Sequence, residues 1–490
     1  MRVLQVCSEI FPLLKTGGLA DVCGALPGAL RKRGCDVRVL VPAFPAILRG
    51  VHDAKPVAGA AGLGDATRLL RGTLPGTDVP LYLIDAPALY AREGNPYADE
   101  AGQAYADNHR RFALLGRVGA LLADGLDPAW SAQVVHGHDW HAGLVPAYLR
   151  AAQLHAGRRQ AGSVHTVHNL AFQGTFPLDV LGELGLPADF YQAHGLEFHG
   201  QVSFMKAGLH YADHITTVSP TYAREIQGAE QGCGLDGVLR ARSGELSGIL
   251  NAVDDAVWNP ANDALIPARY DSRKLSGKGL CRLALQNSFG LGPQTDRPLF
   301  GVVSRLTEQK GFNLILEGLP QLLERGGQLV VLGTGEPALV AALLQAAKTH
   351  PGAVAVKVGY DEALAHSIVA GVDVMMVPSR FEPCGLTQLY GLKYGSLPLV
   401  HKVGGLADTV VDSSLENLDD ATATGFVFER FAVDDYVAAL RRAFALFKRK
   451  GEWQEVQRRA MAQSFDWDAA AAQYVAQYER VAAWAGASRH

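Results

Sequence analysis

Three short stretches carry residues able to bind and activate an anionic substrate, and each begins where an apolar run ends. The first is Lys15-Thr16-Gly17-Gly18-Leu19-Ala20-Asp21-Val22, between a strand-like N-terminus and a helical stretch reaching Arg33. A glycine pair at such a turn lets backbone N–H groups approach an anion. The helix N-terminus adds partial positive charge and Lys15 a full one. The order Gly-Lys-Ser/Thr is absent, so this is no P-loop. A tight strand–helix turn beside a solvent-exposed lysine fits the same residues. The second stretch is Ser304-Arg305-Leu306-Thr307-Glu308-Gln309-Lys310-Gly311. Arg305 offers a bidentate fork and Lys310 a compact charge, suited to one phosphate pair; two ordinary surface cations are the alternative. The third is Phe381-Glu382-Pro383-Cys384-Gly385-Leu386-Thr387-Gln388. Here Glu382 faces a ligand bound by the N–H groups of Cys384, Gly385, Leu386 and Thr387, or it is an acid complementing a helix dipole. The pair Gly404-Gly405 offers one more close backbone approach.

Two other stretches suggest different chemistry. His136-Gly137-His138-Asp139-Trp140-His141, with His165 and His168 downstream, invites a metallohydrolase reading. Its aspartate stands one position too early for His-x-His-x-Asp-His, no later His or Cys cluster completes a site, and zinc needs three or four convergent ligands. Strand alternation is expected to send some of these histidines into the core and others to a cleft. Gly333-Thr334-Gly335-Glu336-Pro337-Ala338 approaches a dinucleotide fingerprint. No strand ending in an acid about 20 residues on accompanies it, so it reads as a strand–helix turn with Pro337 near the helix start.

The elements that must position these residues alternate along the whole chain. Apolar strands are expected at 3–7, 37–42, 134–136, 163–166 and 215–218, then at 299–303, 329–332, 354–358, 372–377 and 397–400, with Ala/Leu-rich helices between them. Two such series, separated by an irregular stretch at 228–262, predict an α/β protein of two doubly wound Rossmann-like domains facing across a deep cleft. Their expected bounds are 1–245 and 246–465, with a C-terminal helix at 466–490 closing back on the first. Ligands are then expected beyond the carboxyl ends of the strands. Length and composition agree. The 490 residues are 48% hydrophobic and 19% charged, which excludes a disordered chain. With 45 Lys+Arg against 49 Asp+Glu, polyanion binding is not the main driving force. Six scattered cysteines without a Cys-x-x-Cys pair suit reduced thiols. The absence of a leader-like start and of a long apolar run leads us to expect a cytoplasmic protein without membrane or nucleic-acid partners.

Taken together, the stretches resemble bacterial glycogen synthase and the plant starch synthases, from the first strand to the last helix. Five pieces carry the resemblance in order: Lys15 to Val22, His138-Asp139-Trp140-His141, Thr166-Val167-His168-Asn169-Leu170-Ala171, Ser304-Arg305-Leu306 with Gln309-Lys310-Gly311, and the run 382–395. The resemblance implies the GT-B architecture and transfer of glucose from ADP-glucose to the non-reducing end of an α-1,4-glucan, with retention and without a metal or other cofactor. It assigns Lys15, Gly18, Arg305 and Lys310 to the diphosphate, with Gly17 and Asp21 in the same turn. It assigns Glu382, His168 and Asp139 to the surroundings of the transferred sugar. Tyr360, after Gly359, takes the nucleobase position, and Tyr97 and Asn169 fall in the donor pocket.

The residue chemistry agrees with this assignment. A departing ADP gathers negative charge opposite an oxocarbenium-like sugar, and fixed cations and helix N-termini can neutralise it. Lys15, Arg305 and Lys310 are expected to meet over one pyrophosphate. Double displacement and front-face attack remain equally open, because no second carboxylate is identified. Many related retaining transferases carry a second glutamate eight residues after the first; here that position is Tyr390. Asn251-Ala252-Val253-Asp254 has alanine where the family commonly has glycine, and Pro27 is expected to interrupt and kink the first helix. The alternatives are a UDP-glucose-dependent or other retaining transferase, a metallohydrolase built on 136–141, and a non-enzymatic carbohydrate-binding protein.

Overall fold

The computed structural model describes residues 1–57, 63 and 66–487. The chain divides into two compact units, one of Met1–Asn251 with the closing helix Trp467–Ala487, the other Ala252–Asp466.

In the first unit a nine-stranded sheet runs Leu246–Gly248, His214–Thr217, Gly162–Val167, Val134–His138, Arg2–Val6, Asp36–Pro42, Pro80–Asp85, Arg68–Thr73, Lys55–Pro56. The first seven are parallel; Leu246–Gly248 is half-buried and the other six are buried nearly throughout, as helix-covered strands must be. The last two form an antiparallel edge that the expected series lacks. The hairpin that joins Arg68–Thr73 to Pro80–Asp85 closes at Pro75-Gly76, where Gly76 has φ +75° and Leu74 N–H donates to Val79 O at 2.9 Å. The stretch expected to be irregular holds the helix Asp236–Ala241 and the strand Leu246–Gly248. That strand pairs with His214–Thr217, which carries the first unit past 245 to Asn251. The helix Gly18–Lys32 runs on through Pro27, which lies on its buried face with Leu19, Val22, Cys23, Leu26 and Leu30. The helix Trp467–Ala487 lies against this helix and the strand Gly162–Val167, burying Tyr474 and Tyr478.

The second unit has a six-stranded, wholly parallel sheet in the order Val354–Val358, Gln328–Gly333, Leu299–Val303, Val374–Val377, Leu397–His401, Phe426–Phe428. Numbered along the chain this is 3-2-1-4-5-6, the doubly wound order. The six parallel strands of the first unit from Pro80–Asp85 to His214–Thr217 follow the same order. Each unit therefore has one switch point where the order reverses. In the first it lies between Arg2–Val6 and Val134–His138, in the second between Leu299–Val303 and Val374–Val377. There the loops leaving neighbouring strands part to opposite faces and open a crevice for ligands.

Candidate active site

The second unit brings its two marked stretches together at its switch point. After Leu299–Val303 the chain makes the turn Glu308–Lys310 and enters the helix Phe312–Glu324 through Gly311, at φ +78°. A Cβ at Gly311 would sit 2.1 Å from Pro378 O, so only glycine lets this turn meet the loop leaving Val374–Val377. Two bonds fasten the loops: Arg380 N–H donates to Gln309 O (2.8 Å) and Gln309 Nε2 to Phe381 O (3.3 Å). Lys310 Nζ then lies 2.6 Å from Glu382 Oε2, which also accepts from Ser379 Oγ at 2.9 Å. Gly404 has φ +44°, and a Cβ there would lie 1.9 Å from Glu382 O; the neighbouring Gly405 N–H donates to that oxygen at 3.1 Å. The carboxylate is thus 7% exposed with one oxygen held twice, and among the described residues no hydrogen bond reaches the other. Lys310 turns to this acid, while Arg305 lies exposed on the same loop without an ion pair among the described residues.

The other expected positions of this unit have definite surroundings. Cys384 is buried, Gly385 has φ +73°, and both carbonyls accept from Gln388 Nε2 before Leu386 leads into the helix Thr387–Lys393. Gly359 (φ +127°) donates its N–H to Gly333 O at 3.0 Å and presents Tyr360, which is 63% exposed. The Gly-x-Gly at 333–335 serves packing. Cβ atoms there would lie 1.9 Å from Ser304 O and 2.2 Å from Leu306 O, and Leu306 N–H donates to Thr334 O. Its helix starts at Pro337. Tyr390, in place of the second glutamate, is buried and stacks on Trp258 at 3.9 Å, with His366 on that indole at 3.6 Å.

In the first unit the turn after Arg2–Val6 is held by a residue the sequence reading passed over. Glu9 is buried and accepts from Thr16 N (2.5 Å), Thr16 Oγ1 (2.6 Å) and the Tyr97 hydroxyl, which also pairs with Ser8 Oγ at 2.9 Å. A carboxylate three residues past an apolar strand was the available signal. Lys15 Nζ pairs with Asp21 Oδ1 at 2.9 Å, both about one-fifth exposed. Gly17 and Gly18 are exposed at the start of their helix, and a Cβ at Gly17 would meet nothing within 4 Å.

Across this switch point runs a ladder of neutral groups. His138 Nε2 lies 2.5 Å from Gln5 Oε1, and its Nδ1 2.9 Å from His168 Nε2. Gln5 Nε2 donates to Tyr478 OH, which lies 2.7 Å from His136 Nδ1, while His136 Nε2 lies 2.5 Å from Thr166 Oγ1. An amide oxygen can only accept, so His138 carries its proton on Nε2 and His168 donates from its own Nε2. His168 Nδ1 is left as an acceptor. Burial pushes His141, His165 and His168 down to about 3, so all are neutral near pH 7. Asp139 stands at φ +56°, uncommon for a residue with a Cβ, and its Oδ1 accepts from the N–H groups of His168 (2.9 Å) and Asn169 (3.3 Å). Burial still raises its carboxyl to about 7, against those two bonds. Asn169 Oδ1 in turn accepts from Ala171 N.

The histidines lie mainly in the core. His136 and His138 share a face of their strand, and both, with His141 and His165, are buried; only His168 is partly exposed. The closing helix, through Tyr478, covers the face that carries them. The ring nitrogens of His136 and His138 are all hydrogen-bonded, and among the described residues no three His, Cys, Asp or Glu are placed to hold a metal ion.

Residues 2–241 match the model of the starch synthase catalytic domain, and residues 285–458 that of glycosyl transferases group 1. A glycogen synthase of Leptothrix cholodnii is 61% identical over 488 residues, covering 99% of this chain and 100% of its own. The chain belongs to the glycogen synthase family. A glycogen synthase of Francisella tularensis subsp. novicida is 57% identical over 474 residues, 96% of this chain and 97% of that one. Among solved structures, the catalytic domain of starch synthase IV from Arabidopsis thaliana, bound to ADP and acarbose, superposes with a TM-score of 0.89 at 31% identity, covering 98% of this chain and 99% of that one. Membership makes the protein a glycosyltransferase of the two-domain GT-B fold, and the metallohydrolase and carbohydrate-binding alternatives fall. No described helix is long and apolar enough to cross a membrane.

Proposed function

We propose that this glycosyltransferase is a cytoplasmic enzyme that moves glucose from ADP-glucose to the non-reducing end of an α-1,4-glucan, with retention of configuration and without a metal ion. The observation that carries the reading is the Lys310–Glu382 pair, a cation and a half-satisfied carboxylate fixed at the mouth of a doubly wound sheet. In the second unit Lys310 and Arg305, and in the first Lys15 with the open turn at Gly17-Gly18, each offer groups suited to a diphosphate and its developing charge. Tyr360 stacks on the base. The free oxygen of Glu382 accepts from a donor hydroxyl and orients the sugar, and His168 Nδ1 accepts from another. Asp139 spends its oxygen on two backbone N–H groups, which makes it a positioning group for the His168–Asn169 loop rather than a nucleophile. Front-face departure and attack follows, with the departing phosphate oxygen taking the proton of the incoming hydroxyl. A plant relative described as bound to ADP and acarbose supports the choice of an adenine nucleotide and an oligosaccharide.

The test offers ADP-glucose and UDP-glucose separately and in competition, with glycogen as acceptor and a chelator throughout. The expected result is ADP release with chain elongation, new linkages cleaved by an α-specific glucosidase, and no effect of chelation. Equal use of UDP-glucose, β-linked product, or loss of activity with the chelator would each overturn the corresponding part.

A further inference from the structure

Among the described residues, only two aromatic side chains are counted as exposed: Tyr360 at 63% and Phe172 at 48%. Single exposed apolar residues are common and need no explanation by themselves. Their positions single these two out. Tyr360 leaves the carboxyl end of Val354–Val358, and Phe172 follows the carboxyl end of Gly162–Val167, the edges where doubly wound sheets bind ligands. An ADP-glucose:glucan transfer involves two kinds of partner with a flat, weakly polar face: the adenine base and the glucosyl rings of the acceptor. Tyr360 is already matched to the first.

The loop bearing Phe172 is held rigidly. Asp139 Oδ1 ties down the N–H groups of His168 and Asn169, Tyr222 OH accepts from Leu170 N–H at 3.1 Å, and Asn169 Oδ1 accepts from Ala171 N–H. Phe172 N–H itself donates to Asn169 O at 3.2 Å. Just beyond, Gln173 O accepts from Met205 N–H, and Gln173 Nε2 donates to Cys233 O at 2.9 Å. At Gly174 a Cβ would lie 2.2 Å from the Trp140 ring. A ring left in water on a loop with so few freedoms loses little entropy when a ligand stacks on it. We infer that Phe172 is a glucan-binding residue, a platform on which a glucosyl ring of the α-1,4-glucan acceptor stacks, four residues from the His168 placed at the transferred sugar.

This inference rests on the transferase reading above, and its experiment separates the two. Initial rates are measured for the full-length wild type, Phe172→Ala and Phe172→Trp, varying maltotetraose or glycogen at saturating ADP-glucose, then the reverse. Stacking of this kind is worth about fivefold in affinity. Phe172→Ala should raise the KM for glucan by about fivefold with the KM for ADP-glucose changed by less than about twofold, and Phe172→Trp should restore the glucan KM. A general loss of structure would instead lower kcat and disturb both constants, and that result, like an unchanged glucan KM, overturns the inference. If the wild type itself transfers no glucose from ADP-glucose, the parent reading fails first.

Discussion

The two units share one strand order and yet fill their switch points with opposite chemistry. In the second unit the crevice is bridged by charge, Lys310 to Glu382, with glycines at 311 and 404 letting backbones approach to distances no side chain permits. In the first it is bridged by a neutral ladder from Gln5 through His138 to His168, and Gly17, in the turn after the first strand, stands in open space. The difference teaches that strand order dictates where a crevice opens, while the loops decide whether it offers fixed charge or oriented hydrogen bonds. A group handling a diphosphate needs the former, and one reading sugar hydroxyls needs the latter.

The largest expected effect comes from breaking the charged bridge. Lys310→Ala should lower kcat by about 10²–10³-fold, and it leaves a buried carboxylate unpaired, costing about 2–4 kcal/mol of stability by urea unfolding. Lys15→Ala, whose partner Asp21 is better solvated, should lose comparable rate with a stability change below about 1 kcal/mol. Equal stability losses in the two variants would erase the contrast.

Glycine substitutions sharpen it next. Gly404→Ala drives a Cβ into Glu382 O and should cost more than about 2 kcal/mol. Gly17→Ala has room and extended backbone, so it should shift the unfolding midpoint by less than about 0.5 kcal/mol. A stable Gly404→Ala protein would show that the close approach is not needed.

The pH dependence of stability should come from the buried histidines of the first unit. His141, His165 and His168 are held near 3, well below their ordinary value, so each must gain a proton on unfolding at mildly acid pH. Their contribution is complete above about pH 6.5 and is lost progressively toward pH 3. Asp139, raised to about 7, acts in the opposite direction between about pH 4 and 7, one group against these three and against His136 and His138, which burial also holds well below their ordinary value. The urea midpoint should therefore be lower at pH 5 than at pH 7.5. His165→Phe should flatten the dependence without a large loss at pH 7.5, because among the described residues neither ring nitrogen of His165 has a hydrogen-bond partner. Identical midpoints at the two pH values would refute the account.

The smallest effect is expected at Asp139. Asp139→Asn keeps an oxygen to accept the His168 and Asn169 N–H groups while removing the titration. It should change kcat by less than about tenfold and remove the part of any rate change near pH 7 that Asp139 contributes. Loss of all activity at every pH would mean that the carboxylate takes part in the chemistry directly.

Much of this was legible from residue patterns. All ten apolar runs appear as strands within a residue or two of their expected bounds, because buried parallel strands must be continuously apolar. The hairpin of Arg68–Thr73 and Pro80–Asp85 escaped because its residues are mainly leucine and arginine, with only Thr73 and Ile84 β-branched. Phe426–Phe428, three residues long, carries too little periodicity to be seen. The histidine-rich run was readable only in part, because alternation tells which side chains share a face but not what covers that face. Here the cover is a helix whose Tyr478 lies 342 positions away.

What the order of amino acids determined alone was a grammar of strand, turn and helix, with cations, an acid and glycines set at strand ends, since these follow from local sterics and hydrophobic period. Which of those groups meet was decided only in three dimensions. Glu382 finds Lys310 across 72 residues because their strands lie side by side at the reversal of the sheet, and Glu9, unremarkable in the chain, becomes the anchor of the Lys15 turn once Thr16 folds back to it. Such pairings depend on sheet order and close backbone approach, and neither quantity is a property of any local stretch.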